Sequence, residues 1–102
     1  MNPRPTILAP EALAEALADL DGWEHRGGAL VRSYRFGDFA AATAFLAGIS
    51  VAAAELDHHP DWSGVHARVD LALSTHDQGG VTRLDVELAQ RAHRLALALG
   101  AG

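Results

Sequence analysis

The stretch Arg68-Val69-Asp70-Leu71-Ala72-Leu73-Ser74-Thr75 decides the fold. Val69, Leu71 and Leu73 fall on one face of an extended chain; Arg68, Asp70, Ala72 and Ser74 fall on the other. Side chains alternate along a strand, so this pattern predicts an antiparallel strand with one buried and one polar face. Just upstream, Trp62 to His66 reads as a shorter strand. Further back, Gly27-Gly28 is a two-residue hairpin signal between Trp23–Arg26 and Ala29–Phe36, with Leu30, Tyr34 and Phe36 on one face.

Helices occupy the intervals. Pro10-Glu11 suits a helix start, and Leu13, Leu17 and Leu20 share a face until Asp21-Gly22 ends the run. Asp38 is a good N-cap for a second helix, whose stripe is Phe39, Ala42, Leu46, Ile49, Ala53 and Leu56. That helix must stop near Asp57, because Pro60 disfavours helical geometry at His59. After the break at Gly79-Gly80, Thr82-Arg83-Leu84-Asp85 has the form of a capping box, with a Val81–Val86 staple. Leu84, Leu88, Ala92, Leu95 and Leu99 then mark the third helix. The order α-β-β-α-β-β-α predicts an α+β fold: a single four-stranded antiparallel sheet with three helices packed on one face. The opposite sheet face, carrying Arg68 and Asp70, stays wet or becomes a subunit interface. Residues 1–9, with two prolines, are expected to form a flexible N-terminal arm, and 10–102 a single domain.

Composition narrows the chemistry. The chain has 102 residues, 49% apolar and 21% charged, ordinary for one folded domain. A net charge of −5 argues against nucleic acid as a direct partner. No Cys is present, which removes disulfides, thiolate nucleophiles and Cys-ligated metals. All eight basic residues are Arg, and with no Lys there is neither a phosphate-loop motif nor a Schiff-base amine. Strictly apolar runs fall far short of the roughly 20 residues that span a bilayer, so no membrane association is expected. Met1 is followed by polar residues and Pro without an apolar signal core, so a cytoplasmic location is expected.

Histidine and carboxylate remain. His58 and His59 lie between the second helix and third strand, and His76 lies just past the fourth strand. A short turn between antiparallel strands brings those ends together, so these three histidines, with Asp57, Asp61, Asp77 and Asp85, are expected around one pocket. Histidine exchanges protons near neutrality. A plainer reading makes His58-His59 a polar loop, and Asp85 has an ordinary task as the third helical residue of the capping box. Trp62 reads as a core or pocket-wall aromatic, His66 as a mid-strand residue, and His25 and His93 as surface residues. Three His and a carboxylate would suit zinc or iron, but neighbouring His on an extended segment point apart and no H-x-H, H-x-x-x-H or H-E-x-x-H spacing occurs there. The expected site therefore holds no metal.

Glu55-Leu56-Asp57-His58-His59-Pro60-Asp61-Trp62, then His66, Leu73-Ser74-Thr75-His76-Asp77 and Asp85, resemble the pterin-4a-carbinolamine dehydratases. That family's signature is a double His before Pro, an aromatic or His several residues later, a His ten residues further on, and then an Asp. Weaker similarity runs from about residue 10 to 97, through Gly22-Trp23, Ala29-Leu30 and Phe36-Gly37-Asp38-Phe39. The resemblance implies the same α+β fold and a hydro-lyase that converts 4a-hydroxytetrahydropterin to quinonoid dihydropterin without a cofactor. It implies catalytic roles for His58, His59, His76 and Asp85, with His58 and His76 as general acid and base and His59 positioning the pterin. Asp57, His58, His59, Trp62, Ser74, Thr75, His76 and Asp77 are the implied substrate contacts. It further implies a homodimer or homotetramer and a functional link to an aromatic amino-acid hydroxylase. Some proteins of this fold are instead transcriptional dimerisation or assembly partners. One position departs: the family often has Glu four residues before the first His, where this chain has Ala54, and Glu55 sits about 100° further round a helix.

Overall fold

The computed structural model describes residues 5–102, so the first four residues of the expected arm lie outside the described residues. The elements are α1 (Pro10–Ala18), β1 (Glu24–Arg26), β2 (Ala29–Arg35), α2 (Phe39–Leu56), β3 (Asp61–Val65), β4 (Arg68–Leu73), a 3-10 turn (His76–Gln78) and α3 (Arg83–Ala98). The strands form one antiparallel sheet in the order β1-β2-β4-β3. This is the α-β-β-α-β-β-α arrangement expected from the chain's patterning.

Register follows burial. Leu30 faces Leu73 and Tyr34 faces Val69 across β2 and β4, and all four are buried. Offset by one residue, Ser33 faces Asp70 on the open side, where the two side chains are hydrogen bonded at 2.5 Å. That bond and the Arg68 guanidinium hold the Asp70 carboxyl below the usual carboxylate range. β3 is an edge strand, and all five of its residues are exposed.

Both longer helices start as their caps dictate. The Asp38 carboxylate accepts the Ala41 N–H at 2.8 Å, and α3 opens with the complete Thr82–Asp85 capping box. α2 and α3 pack together and onto the sheet. α2 is 18 residues long with a mean hydropathy of 1.7, long and apolar enough by length and composition to cross a membrane. Here its inner face belongs to the core, and Gly48 lies so close to α3 that a Cβ there would meet the Leu95 side chain.

Several local expectations are corrected. Phe39, placed in the apolar stripe of α2, is 70% exposed, whereas Phe45 is fully buried. Phe39 is the first residue of the helix, before the chain has turned onto the sheet, and in an alanine-rich helix several stripes look equally apolar. Phe45 packs 5.0 Å from Phe36 and 5.5 Å from Tyr34, ring centre to ring centre. α1 ends at Ala18, a turn earlier than Asp21-Gly22, and Leu20 enters the core from the following turn. His66 is not mid-strand; it lies in the β3–β4 turn at φ +54°, exposed.

His93 is not an ordinary surface residue. Trp23 Nε1 donates to the Tyr34 hydroxyl at 2.8 Å, and that hydroxyl lies 2.7 Å from His93 Nδ1. The phenol oxygen thus accepts from Trp23 and shares a second hydrogen bond with His93 Nδ1, whose direction is set by the imidazole tautomer. Burial pushes the Tyr34 hydroxyl above its usual range, which keeps the phenol protonated. Tyr34→Phe strands the Trp23 N–H, and is expected to lower unfolding free energy by about 1–3 kcal/mol in urea denaturation. A change within error would mean that water replaces the hydroxyl freely.

Candidate active site

The site is built where α2 stops. Asp57 adopts the left-handed conformation at φ 49°, a geometry that Asp tolerates better than most residues. The Asp57 N–H then bonds to Ala54 O at 3.2 Å and the His58 N–H to Ala53 O at 3.0 Å, the paired closure of a Schellman motif. This closure directs His58 inward, where it is 4% exposed. His59, the next residue on an extended segment, is exposed.

His58 meets Asp85. The two approach at 2.5 Å between Nε2 and Oδ1, and Asp85 is fully buried at the start of α3. Asp85 Oδ2 accepts the Thr82 N–H at 2.8 Å and the Thr75 hydroxyl at 2.9 Å. Capping and holding the histidine are thus simultaneous tasks of the two oxygens of one carboxylate. Thr75 and Thr82, both fully buried, are joined hydroxyl to hydroxyl at 2.7 Å. Among the described residues, no buried side-chain polar atom lacks a partner. A buried charged network persists only when satisfied in this way.

His76 stands at the surface, its side chain 75% exposed, with Nε2 3.6 Å from Asp61 Oδ2. That separation is an ion-pair distance and too long for a hydrogen bond. The contact follows from register: Asp61 faces Ala72 at the β4 end from which the chain runs to His76. His59 and Trp62 line a cavity of about 240 Å³ against α2, with Leu46, Ile49 and Ala53 as its apolar wall. A wider trough of about 650 Å³ crosses the open sheet face, with Asp61 and Trp62 among its lining residues and Arg26, Ser33 and Asp70 further along.

The remaining expected residues divide by accessibility. Asp57 and Asp77 are exposed, and Ser74 is half-buried. Thr75, expected to contact substrate, is fully buried with its hydroxyl given to Asp85, so it reaches a ligand only through that carboxylate. Asp85, expected on a pocket rim, lies instead beneath the site. Sequence reasoning missed the part Thr82 plays beyond capping; the signal was a second threonine, Thr75, at the facing strand end. Glu55 does not substitute for a Glu at position 54: Arg91 Nη1 donates to its carboxylate at 3.0 Å, tying it towards α3. Among the described residues, no group of three or more His, Asp or Glu side chains is arranged to hold a metal ion.

These features define a small α+β protein whose chemistry-bearing groups at this junction are histidines and carboxylates, side chains able to exchange protons near neutrality. The chain belongs to the pterin 4 alpha carbinolamine dehydratase family, whose model matches residues 6–95. A Mesorhizobium japonicum protein named "Putative pterin-4-alpha-carbinolamine dehydratase" is 45% identical over 86 residues, covering 82% of this chain and 88% of its own. A protein of the same name from Bradyrhizobium sp. (strain BTAi1) is 45% identical over 94 residues, covering 90% of this chain and 95% of its own. Among solved structures, a transcriptional coactivator/pterin dehydratase from Brucella melitensis superposes with a TM-score of 0.86 at 40% identity, covering 89% of this chain and 99% of that one. A pterin dehydratase-like RuBisCO assembly factor of the alpha-carboxysome shares the fold, with a TM-score of 0.64 at 23% identity over 74% of this chain and 89% of its own.

Proposed function

We propose that this protein dehydrates 4a-hydroxytetrahydropterin, 4a-hydroxytetrahydrobiopterin in pterin recycling, to quinonoid dihydropterin plus water. The observation that carries the reading is the buried His58–Asp85 pair at 2.5 Å, one residue from the exposed His59 and joined through Thr75 to the strand end bearing His76. In the reaction the C4a–O bond breaks with its electrons on oxygen, which takes a proton and leaves as water. The N5 proton passes to a base, and its bonding pair forms the N5–C4a double bond. His58 and His76 are the general acid and base, and such groups each contribute about 10²–10⁴-fold. His59 and Trp62 hold the flat pterin, with Asp57, Ser74 and Asp77 pairing with its polar edge. The product's consumer would be a reductase serving an aromatic amino-acid hydroxylase.

A homodimer or homotetramer is part of the same proposal. It is supported by the open edge of β3 and by apolar side chains left outside the core, among them Phe39, Val51 and Val65. A second reading, a binding or assembly module of weak activity, is favoured by Ala54 and by the engagement of Glu55 with Arg91. Calorimetric titration with 7,8-dihydrobiopterin separates the two. The dehydratase reading expects stoichiometric binding that weakens in His59→Ala; absence of pterin binding, with a macromolecular partner co-purifying, would favour the module.

A further inference from the structure

The protons available in the buried network fix its direction. A carboxylate only accepts hydrogen bonds. The single proton of the Thr75 hydroxyl is therefore spent on Asp85 Oδ2. Thr82 must then donate its own proton to Thr75 Oγ1, and Thr82 Oγ1 in turn accepts the Leu84 N–H at 3.3 Å. With the Thr82 N–H also on Oδ2, Oδ1 remains as the acceptor that faces His58 Nε2.

We propose that Thr75 and Thr82 are positioning residues that act on His58 through Asp85. The chain Leu84 N–H to Thr82 to Thr75 to Asp85 orients the carboxylate and keeps a proton on His58 Nε2. Nδ1 is then the ring atom that exchanges a proton with a ligand. A partner carboxylate sets imidazole tautomer and orientation in the same way in hydrolase triads. That the proton exchanged is one of the dehydration rests on the function proposed above; the direction of the chain does not.

Two-bond ¹H–¹⁵N spectra of the ¹⁵N-histidine protein above the range where imidazole protonates read the tautomer directly. The expected result is a His58 signal of the Nε2–H form. In Thr75→Val, which keeps the shape and removes the donor, mixed tautomers should appear and kcat should fall about 10-fold with KM little changed. Thr75→Ser restores the hydroxyl and should restore both readouts. A wild-type His58 protonated on Nδ1 overturns the proposal without recourse to any variant, which covers the case in which Thr75→Val fails to fold. An unchanged tautomer and rate in a folded Thr75→Val would also overturn it. A Thr75-dependent Nε2–H signal in a wild type that does not accelerate dehydration supports the chain and counts against the dehydratase reading instead.

Discussion

Replacing Asp85 with alanine should lower the unfolding free energy by about 3–5 kcal/mol, the range seen when one partner of a buried ion-paired network is removed. Three donors converge on this carboxylate: His58 Nε2, the Thr75 hydroxyl and the Thr82 N–H. Asp85 has no exposed surface, so water cannot replace it without entering the core. Each stranded buried donor costs about 1–3 kcal/mol, and loss of a helix cap about 0.5–2 kcal/mol. These costs overlap because the donors can re-pair with one another, so the total falls below their sum. For a domain with a total stability of about 5–15 kcal/mol, the change is large. Urea denaturation with an unchanged m-value measures it. A loss below about 1 kcal/mol would mean that the network is a by-product of packing and not a keystone.

His58→Ala and His76→Ala should each slow pterin dehydration by about 10²–10⁴-fold, the range for loss of a positioned proton donor or acceptor. The two variants should differ in stability. His76 is a surface residue paired with the exposed carboxylate of Asp61, and surface ion pairs contribute little. Its variant should therefore melt with the wild type while losing rate. His58 is buried and bonded to Asp85, so its variant should lose rate and stability together. Stopped-flow kinetics and thermal melts on the same preparations check both statements. Equal loss of stability with no loss of rate would make the histidines structural.

The sheet was legible in the chain because alternation in β4 is unambiguous and register is forced wherever one face is buried. The Gly27-Gly28 hairpin and the Asp38 and Thr82 caps were legible because each rests on local chemistry within four residues. Phase along α2 was not, since alanine at Ala40, Ala41, Ala42 and Ala44 is compatible with several buried faces. Which face won depended on where Phe45 could meet Tyr34 and Phe36, a tertiary matter. The place of His66 was missed because a positive φ at histidine leaves no trace in composition. His93 was missed because its partner, Tyr34, lies on a strand far away in sequence. At the site, the residue types and junctions were readable. Accessibility was not: His58 and His59 are adjacent in the chain, yet one faces the interior and the other faces solvent. Only the Schellman closure of α2, with Asp57 left-handed, decides which is which.

The most direct test of the account is the rate at which freshly generated 4a-hydroxytetrahydrobiopterin loses water in the presence of the purified wild-type protein. The expected result is acceleration over the spontaneous reaction that is proportional to protein concentration and saturates with substrate. A rate indistinguishable from the spontaneous one at micromolar protein would contradict it.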